Sequence, residues 1–119
     1  KSMRIIGNNP QLSRQTQAVA SGAITGGKPV LVNTNGTVSQ VSGSVTLTAE
    51  NYIGIAEDTV ATGQPVTVNT KGTVDENQTS LTAGQTYFVQ TNGTLGTSAG
   101  SPSVVAGTAV TATKLIVKG

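Results

Sequence analysis

The amino-acid sequence predicts an all-β fold, a small sandwich or barrel, and three observations lead to this prediction. One phrase of twelve residues occurs three times, as GKPVLVNTNGTV, GQPVTVNTKGTV and GQTYFVQTNGTL, beginning at Gly27, Gly63 and Gly84. Apolar and polar residues alternate within these phrases, which is the period of a β-strand. The chain also has 20 threonines, whose β-branched side chains fit a pleated sheet. No stretch shows sustained helical spacing.

The first fifteen residues differ from the repeats, and we predict that they form an N-terminal arm ahead of a single β domain over residues 16–119. An apolar cluster in this segment is followed by the chain-breaking sequence Gly-Asn-Asn-Pro. The segment can be an arm that crosses to a neighbouring subunit or an ordinary first strand. Because disordered tails are normally polar, we expect it to pack against another subunit, as a strand that caps an exposed sheet edge. The predicted assembly contacts are Met3, Arg4, Ile5 and Ile6.

Each repeated phrase is predicted to contain two strands. An aliphatic residue stands three positions before the opening glycine of every copy, and a short turn, a strand, a second turn and another strand follow. Pro29 and Pro65 stand where strands begin, a place where a missing N–H is tolerated. The second turn is Asn-Gly in two copies and Lys-Gly in the middle one, and Asn-Gly between strands is a strong hairpin signal. The predicted hairpin turns are Asn35 with Gly36, Lys71 with Gly72, and Asn92 with Gly93.

The length of the hairpin loop decides which side chains share a face of the sheet. A two-residue loop would pair Thr34 with Thr37 and would send Val32 and Val38 to opposite faces. A three-residue loop, with Gly36 in a bulge, puts Val32 opposite Val38. We favour the bulged loop, because this register gives all three copies one apolar face. The corresponding pairs in the other two copies are Val68 with Val74 and Val89 with Leu95.

Four further strands are predicted between and after the repeats, where short apolar segments are bounded by turn residues. Gly54 and Gly107 lie inside two of these segments, and glycine within a strand marks a bulge or a close approach of two backbones. The four predicted strands are Ser44–Leu47, Tyr52–Ala56, Ser103–Val110 and Lys114–Val117.

The chain can bury a core, but the core is thin. Leu, Ile, Val and Phe number 28 of 119 residues, about 24%, which exceeds the roughly 20% below which disorder is typical. There are one Phe, two Tyr and no Trp, and aromatic residues normally supply the largest buried areas. A core built mainly of valine gains stability from assembly with further copies. We therefore expect a homo-oligomer.

The charges predict neither a nucleic-acid nor a membrane partner. The net charge is +2, and the seven basic residues form no run, whereas nucleic-acid binding needs a clustered basic face. The longest apolar runs are far shorter than a bilayer span.

The lack of cysteine excludes disulfides, zinc–cysteine sites and thiol catalysis. The chain begins at Lys1 without an initiator Met, so we expect it to be processed or excised from something longer.

Side chains that enzymes use are scarce, and we expect no catalytic activity, cofactor or metal. There is no His or Cys, and the acids form two adjacent pairs, Glu57 with Asp58 and Asp75 with Glu76. Neighbours on a strand point to opposite faces, so neither pair alone makes the facing carboxylates of a glycosidase. We interpret these residues as solvated loop acids. The candidates for exposed aromatic contacts are Tyr52, Tyr87 and Phe88.

Three phrases in the second half of the chain resemble the C-terminal module of structural proteins from tailed bacteriophages. They are NYIGIAEDTVATGQPVTV, VDENQTSLTAGQTYFVQTNGTLGT and PSVVAGTAVTATKLIVKG, and SRQTQAVASGAITGGKPVLVNTNGTV resembles the segment that precedes this module. The likeness covers Ser13 to Gly119 and implies a tail-fibre or other virion structural protein. Some relatives carry a long insertion between the two segments. Only Ser39–Leu47 lies there in this chain, which implies a minimal module without an inserted recognition domain.

A second likeness is to lambda-type head decoration proteins, small β-tulip folds that sit as trimers on capsids. It rests on a Gly-Thr turn, the strand Ile53-Gly54-Ile55-Ala56 and the late Ala-Gly-Thr-Ala over Ala106–Ala109. This resemblance implies a β-tulip-like trimer in the virion, with the major capsid protein as a partner and an N-terminal arm that engages the capsid. The alternatives are an extracellular adhesive or carbohydrate-binding module and a subunit of a secreted filament.

Overall fold

The computed structural model describes residues 15–118, and this part of the chain forms ten strands and no helix. The strands make two antiparallel sheets packed together, so the predicted all-β fold is confirmed as a small sandwich. The predicted contacts Met3, Arg4, Ile5 and Ile6 lie outside the described residues. The strands are β1 Gln15–Val19, β2 Pro29–Val32, β3 Val38–Gln40, β4 Tyr52–Ala56, β5 Pro65–Thr70, β6 Val74–Asp75, β7 Thr86–Val89, β8 Leu95–Gly96, β9 Val105–Ala109 and β10 Leu115–Val117.

The N-terminal sheet has the strand order β1-β5-β4-β2-β3, and it curls so that its two edges meet. The edges touch at a parallel bridge between Ala20 and Val38, beside which the Ser21 N–H donates a 2.9 Å hydrogen bond to the Val38 carbonyl. Because the sheet curls in this way, its concave side encloses a core of its own. That core consists of Ala20, Ile24, Val30, Val38, Ala56, Val66 and Val68.

The C-terminal sheet has the order β6-β10-β9-β7-β8 and packs on the convex side of the N-terminal sheet. Tyr52 and Ile55 of β4 lie in one apolar cluster with Leu115 and Val117 of β10, and all four are buried. Side chains alternate along a strand, so Leu115 and Val117 point into this shared core while Ile116 points away from it. The second side of the C-terminal sheet therefore faces outward.

The repeated phrase builds the same entry turn three times. The opening glycines Gly27, Gly63 and Gly84 have φ angles of 87°, 84° and 84°, as the third residue of a type II turn requires. Each glycine N–H donates a 2.8 Å hydrogen bond to an alanine carbonyl, and the alanine N–H donates to the carbonyl of the residue after the glycine. This reciprocal pair fastens each turn to another segment. The alanines are, in the same order, Ala56, Ala20 and Ala109.

The exit turns of the first and third copies are the predicted three-residue bulged loops. The side-chain oxygen of Asn35 accepts hydrogen bonds from the Thr37 N–H at 3.1 Å and from its hydroxyl at 2.7 Å. Asn92 and Thr94 repeat this arrangement at 3.1 and 2.8 Å. The glycine after each asparagine has a positive φ, which the bulge requires. The confirmed cross-strand pairs are Val32 with Val38 and Val89 with Leu95.

The prediction for the middle copy is wrong, because its two strands belong to different sheets. Val74 pairs with Ile116 of β10 and not with Val68. Lys71 stands where the other copies have asparagine, and its side chain has no acceptor to offer the N–H groups of the turn. The backbone of this turn bonds to β10 instead, at 2.8 Å. The middle copy thus connects the two sheets.

The glycines within strands mark close approaches, as predicted. A Cβ atom on Gly54 would collide with the carbonyl oxygen of Asn69, and one on Gly107 would collide with that of Ile116. The pairing register also shifts beside each glycine. Only a residue without a side chain lets the neighbouring backbones come this close.

One predicted strand is absent from the structure, and one strand of the structure was not predicted. Ser44–Leu47 is a loop, because the side chain of Asn51 binds the Thr48 N–H and the Thr46 carbonyl, each at 2.8 Å, where a ladder of strand bonds was expected. Strand β1 was not predicted, since its sequence QTQAV is mostly polar. The bounds of β4 match the prediction, and β9 and β10 lie within the predicted segments.

Candidate functional site

The second face of the C-terminal sheet is rich in apolar side chains. Val74 pairs with Ile116, and Val105 pairs with Phe88, so the members of each pair project from the same side of the sheet. Val74 and Val110 are 45% and 46% exposed. Within residues 15–118, none of the outward side chains of this sheet is buried. We define the outer face as Val74, Thr86, Phe88, Val105, Thr108, Val110 and Ile116.

The outer face has an apolar centre and a charged border. Strand register arranges six of its members in two rows, and none of the residues paired in these rows is charged. The seventh member, Val110, lies outside the rows beside Lys114, to whose carbonyl the Val110 N–H donates a 2.8 Å hydrogen bond. Lys114 and Lys118 flank Ile116 on the same side of β10, and Glu76 follows β6. A centre depleted of charge within a polar rim is the composition of protein interfaces. The rows are Val74, Ile116, Thr108 and Thr86, and Val105, Phe88 and Gly96.

The N-terminal sheet, in contrast, has a cover over its concave side. Ile24 and Val60 exchange backbone hydrogen bonds of 3.0 and 2.9 Å in the segments that cross this side. Ile24 is 1% exposed, and Val60 is partly buried against the same core. No segment within residues 15–118 does the same for the outer face.

The second candidate site is a cluster of carboxylates and amides between the sheets. Asp75 is fully buried, so its interpretation as a solvated loop acid is wrong. Its oxygens accept hydrogen bonds from the side-chain amides of Asn69 at 3.1 Å, Asn77 at 2.9 Å and Gln78 at 2.8 Å. The first two amides also donate to Glu57, at 2.7 and 3.2 Å. Glu57 itself is exposed, as predicted.

The contacts of this cluster fit a structural role. Asn69 lies on β5 and Asp75 on β6, so their hydrogen bond joins the N-terminal sheet to the C-terminal sheet. Both oxygens of Asp75 accept bonds from amides, which stabilises the buried carboxylate. The described part of the chain has no group of three His, Cys, Asp or Glu side chains that could hold a metal ion.

The predicted aromatic contacts separate into two buried side chains and one on the outer face. Tyr52 is 1% exposed and Tyr87 is 7% exposed, so the prediction of exposed contacts is wrong for both. Their large rings fill the shared core of a chain that has few aromatic residues. Phe88, the strand neighbour of Tyr87, is half-buried and belongs to the outer face.

Tyr52 carries a perturbed hydroxyl group. Burial raises the pKa of Tyr52 above its ordinary value, and the negative charge of Asp75 raises it further. The hydroxyl donates a 3.3 Å hydrogen bond to the carbonyl of Ala106 in β9. This bond joins the two sheets, since Tyr52 lies on β4.

Sequence reasoning found only one member of the outer face, Phe88. It missed Ile116 because the run Leu115-Ile116-Val117 is continuously apolar and does not reveal which side chain points outward. The signal that could have identified Ile116 is the pair of lysines, Lys114 and Lys118, which stand two residues before and after it and therefore share its side of the strand. The predicted turn residues are not part of the outer face. One of them, Lys71, places its ammonium group 6.0 Å from the centre of the Tyr52 ring.

Comparison with models of known protein families found no match for this chain. Comparison with curated proteins found none either. No helix within residues 15–118 is long and apolar enough to cross a membrane. The outer face is therefore the feature from which a function can be argued.

Proposed function

We propose that this chain is a non-enzymatic structural subunit of a bacteriophage virion, which assembles through its outer face and its N-terminal arm. Its partners are further copies of the chain, as a trimer, and other virion proteins such as the major capsid protein. The resemblance to modules of phage structural proteins, which extends from Ser13 to Gly119, supports this class of particle.

The observation that carries the proposal is the apolar outer face. Contiguous exposed apolar surface with a polar rim marks sites of protein interaction. Val74 and Val110 each expose nearly half of their surface, and completing the burial of such a side chain contributes about 1 kcal/mol. These two valines, together with the half-buried Phe88, Val105 and Ile116 on the same side of the sheet, favour association.

The polar groups of the chain support a structural role. The repeated turns fasten strands by backbone hydrogen bonds, and the amides around Asp75 fasten one sheet to the other. These groups are thereby engaged in holding the sandwich together. A rigid scaffold that presents a preformed face suits a subunit of a particle.

Of the two places in a virion, the surface of the head is favoured over the tail. Only Ser39–Leu47 separates the two segments that resemble phage proteins, so no inserted domain is present there to recognise a receptor. A short β module is the size of a decoration subunit, as the second resemblance implies.

The adhesive or carbohydrate-binding alternative has less support. Sugar sites commonly stack the ligand on exposed aromatic rings, and two of the three candidates, Tyr52 and Tyr87, are buried. Phe88 is the only one of the three on the outer face, and it is half-buried. A glycan array that detects specific binding would favour this alternative over the virion proposal.

The proposal is tested by searching for the chain in purified particles of the virus that encodes it. We expect mass spectrometry to detect the chain at a fixed stoichiometry to the major capsid protein, and a cryo-EM map to contain its sandwich on the head. If the map instead contains the sandwich on the tail, the chain is a tail subunit and not a head subunit. Absence of the chain from purified particles would overturn the proposal.

A further inference from the structure

We infer that Asn35, at the tip of the first hairpin, is a site of spontaneous chemical modification in the folded protein. Its side-chain amide is converted to aspartate and isoaspartate, whereas Asn92, at the corresponding tip of the third copy, is protected. The inference goes beyond assembly, because it concerns how the chain changes chemically with time. It is independent of the proposed function.

Both tips have a sequence that makes asparagine reactive. Asn is followed by Gly at two places in the chain, Asn35-Gly36 and Asn92-Gly93, and each pair lies within Thr-Asn-Gly-Thr. Glycine has no side chain to hinder the attack of its own backbone nitrogen on the preceding side chain. Because the two tetrapeptides are identical, a large difference in reactivity between the two asparagines must come from the fold.

The reaction is an intramolecular substitution followed by hydrolysis. The backbone nitrogen of Gly36 attacks Cγ of Asn35, so that a new N–Cγ bond forms and the Cγ–Nδ2 bond breaks. The side-chain nitrogen leaves as ammonia with the proton that Gly36 gives up, and a cyclic succinimide remains. Water then opens the ring at one of its two carbonyls, which gives aspartate or isoaspartate. No group is oxidised or reduced, and water is the co-reactant.

Hydrogen bonds at the tip favour the attack on Cγ. The Oδ1 atom of Asn35 accepts from the Thr37 N–H at 3.1 Å and from the Thr37 hydroxyl at 2.7 Å. Negative charge develops on this oxygen when the nitrogen adds to Cγ, and donors already aimed at it stabilise that charge. Thr94 provides the same two donors to Asn92, at 3.1 and 2.8 Å, so this feature does not distinguish the tips.

The two tips differ in how readily they can open. The attacking N–H donates to the carbonyl three residues before it, at 3.0 Å for Gly36 and 2.9 Å for Gly93, so each turn must open before the nitrogen can reach Cγ. Gly36 is exposed, and within residues 15–118 only its own chain neighbours lie within 4 Å of a β-carbon at this position. Gly93 is buried against the carbonyl oxygen of Val41, with which a β-carbon at Gly93 would collide. Opening the third tip breaks this packed contact as well, so its open state is less populated than that of the first tip.

The two products have different effects on the hairpin. Aspartate keeps an oxygen that can accept the Thr37 N–H, so the bulged turn is retained with an added negative charge. Isoaspartate routes the main chain through its β-carbon and thereby adds a methylene group to the loop. The longer loop disturbs the register of Val32 with Val38. The modification therefore changes both the charge and the geometry of the first hairpin.

Peptide mapping of the full chain during incubation tests the inference. The folded protein is kept in mildly alkaline buffer at physiological temperature, and samples are digested at intervals. Liquid chromatography with mass spectrometry separates the asparagine, aspartate and isoaspartate forms of each peptide, and Asn35→Asp supplies a reference for one product. We expect conversion at position 35 to be at least about fivefold faster than at position 92. Equal conversion at the two positions, or faster conversion at position 92, would overturn the inference.

Incubation of the same protein in urea is the matched control. Unfolding removes the contact between Gly93 and Val41, so we expect the two positions to convert at similar rates in the identical tetrapeptides. A difference in rate that persists unchanged in urea would contradict the inference, because packing would then not be its cause. Lack of conversion at position 35 of the folded protein, over a time in which the unfolded protein converts, would contradict it too.

Discussion

Gly54 on β4 lies close to the backbone of Asn69 on the neighbouring strand β5. A side chain on Gly54 would collide with the Asn69 carbonyl oxygen, and its φ of 152° is one that other residues rarely adopt. Collision with a backbone atom cannot be relieved by a change of rotamer. A β-carbon here must therefore displace a whole strand.

We expect Gly54→Ala to lower the free energy of unfolding by about 2–4 kcal/mol, since overpacking and backbone strain add at this position. Urea denaturation measures the change. Gly43→Ala is the matched control, because within residues 15–118 only its own chain neighbours lie within 4 Å of a β-carbon at Gly43. Equal stability of the two variants would show that the strands do not approach as closely as described.

The hydroxyl group of Tyr52 makes stability depend on pH in alkaline solution. Its pKa is raised in the folded protein above the ordinary 10.0, so the folded state keeps the proton while the unfolded state loses it. The contribution to stability is therefore complete below pH 10 and is lost as the pH rises through the folded pKa, by about 1.4 kcal/mol per pH unit. Acid does not affect this contribution.

Tyr52→Phe separates this effect from the rest of the chain. At neutral pH we expect the variant to be about 1 kcal/mol less stable than the wild type, because it loses the hydrogen bond to Ala106. Above pH 10 the difference should shrink and then reverse, since the variant has no proton to lose here. Urea denaturation at a series of pH values measures both free energies. A constant difference across the series would contradict this account.

At the scale of elements, the carboxylate of Asp75 is the link between β5 and β6. Asp75→Asn replaces one of the two acceptor oxygens by an NH₂ group, which then faces either the amides of Asn69 and Asn77 or the amide of Gln78. We expect a loss of about 2–4 kcal/mol in the free energy of unfolding, because buried donors then lack acceptors. Glu76→Gln, which is exposed, is the control and should change stability little. Equal stability of both variants would refute the structural role of the cluster.

The bulged hairpins give a second prediction at this scale. Asn35→Ala removes the acceptor for the Thr37 N–H, and we expect a cost of about 1 kcal/mol with faster hydrogen exchange at that amide. Asn35→Asp retains an acceptor oxygen and should keep the exchange slow. If Asp and Ala variants exchange alike, the side chain of Asn35 does not hold the turn.

Local features of these elements could be predicted from the sequence, and long-range features could not. The register of the first and third hairpins follows from Asn-Gly and alternating valines, which act over a few residues. The middle copy has nearly the same letters, but Val74 pairs with Ile116, 42 positions away, and no local pattern reports that partner. The burial of Asp75 was missed for the same reason, since it depends on how loops and strands meet in three dimensions.

At the scale of the molecule, the two sheets differ in how their faces are covered. The N-terminal sheet packs on a core at each side, whereas the C-terminal sheet has one packed face and the outer face. A chain with few aromatic residues leaves apolar surface on an open sheet, and this arrangement favours association. We propose that copies of the chain associate through the outer face and through no other apolar surface of the sandwich.

Sedimentation velocity of the full chain over a wide range of concentration tests this claim most directly. Val74→Lys places a charge within the outer face, and Val32→Lys places one at a similarly exposed valine of the N-terminal sheet, since these valines are 45% and 37% exposed. We predict that the wild type and Val32→Lys form the same oligomer over the same range of concentration. For Val74→Lys, the concentration below which the oligomer dissociates to monomers should be at least about tenfold higher than for the wild type. Equal association of all three proteins, or a monomeric wild type at every concentration, would contradict the account.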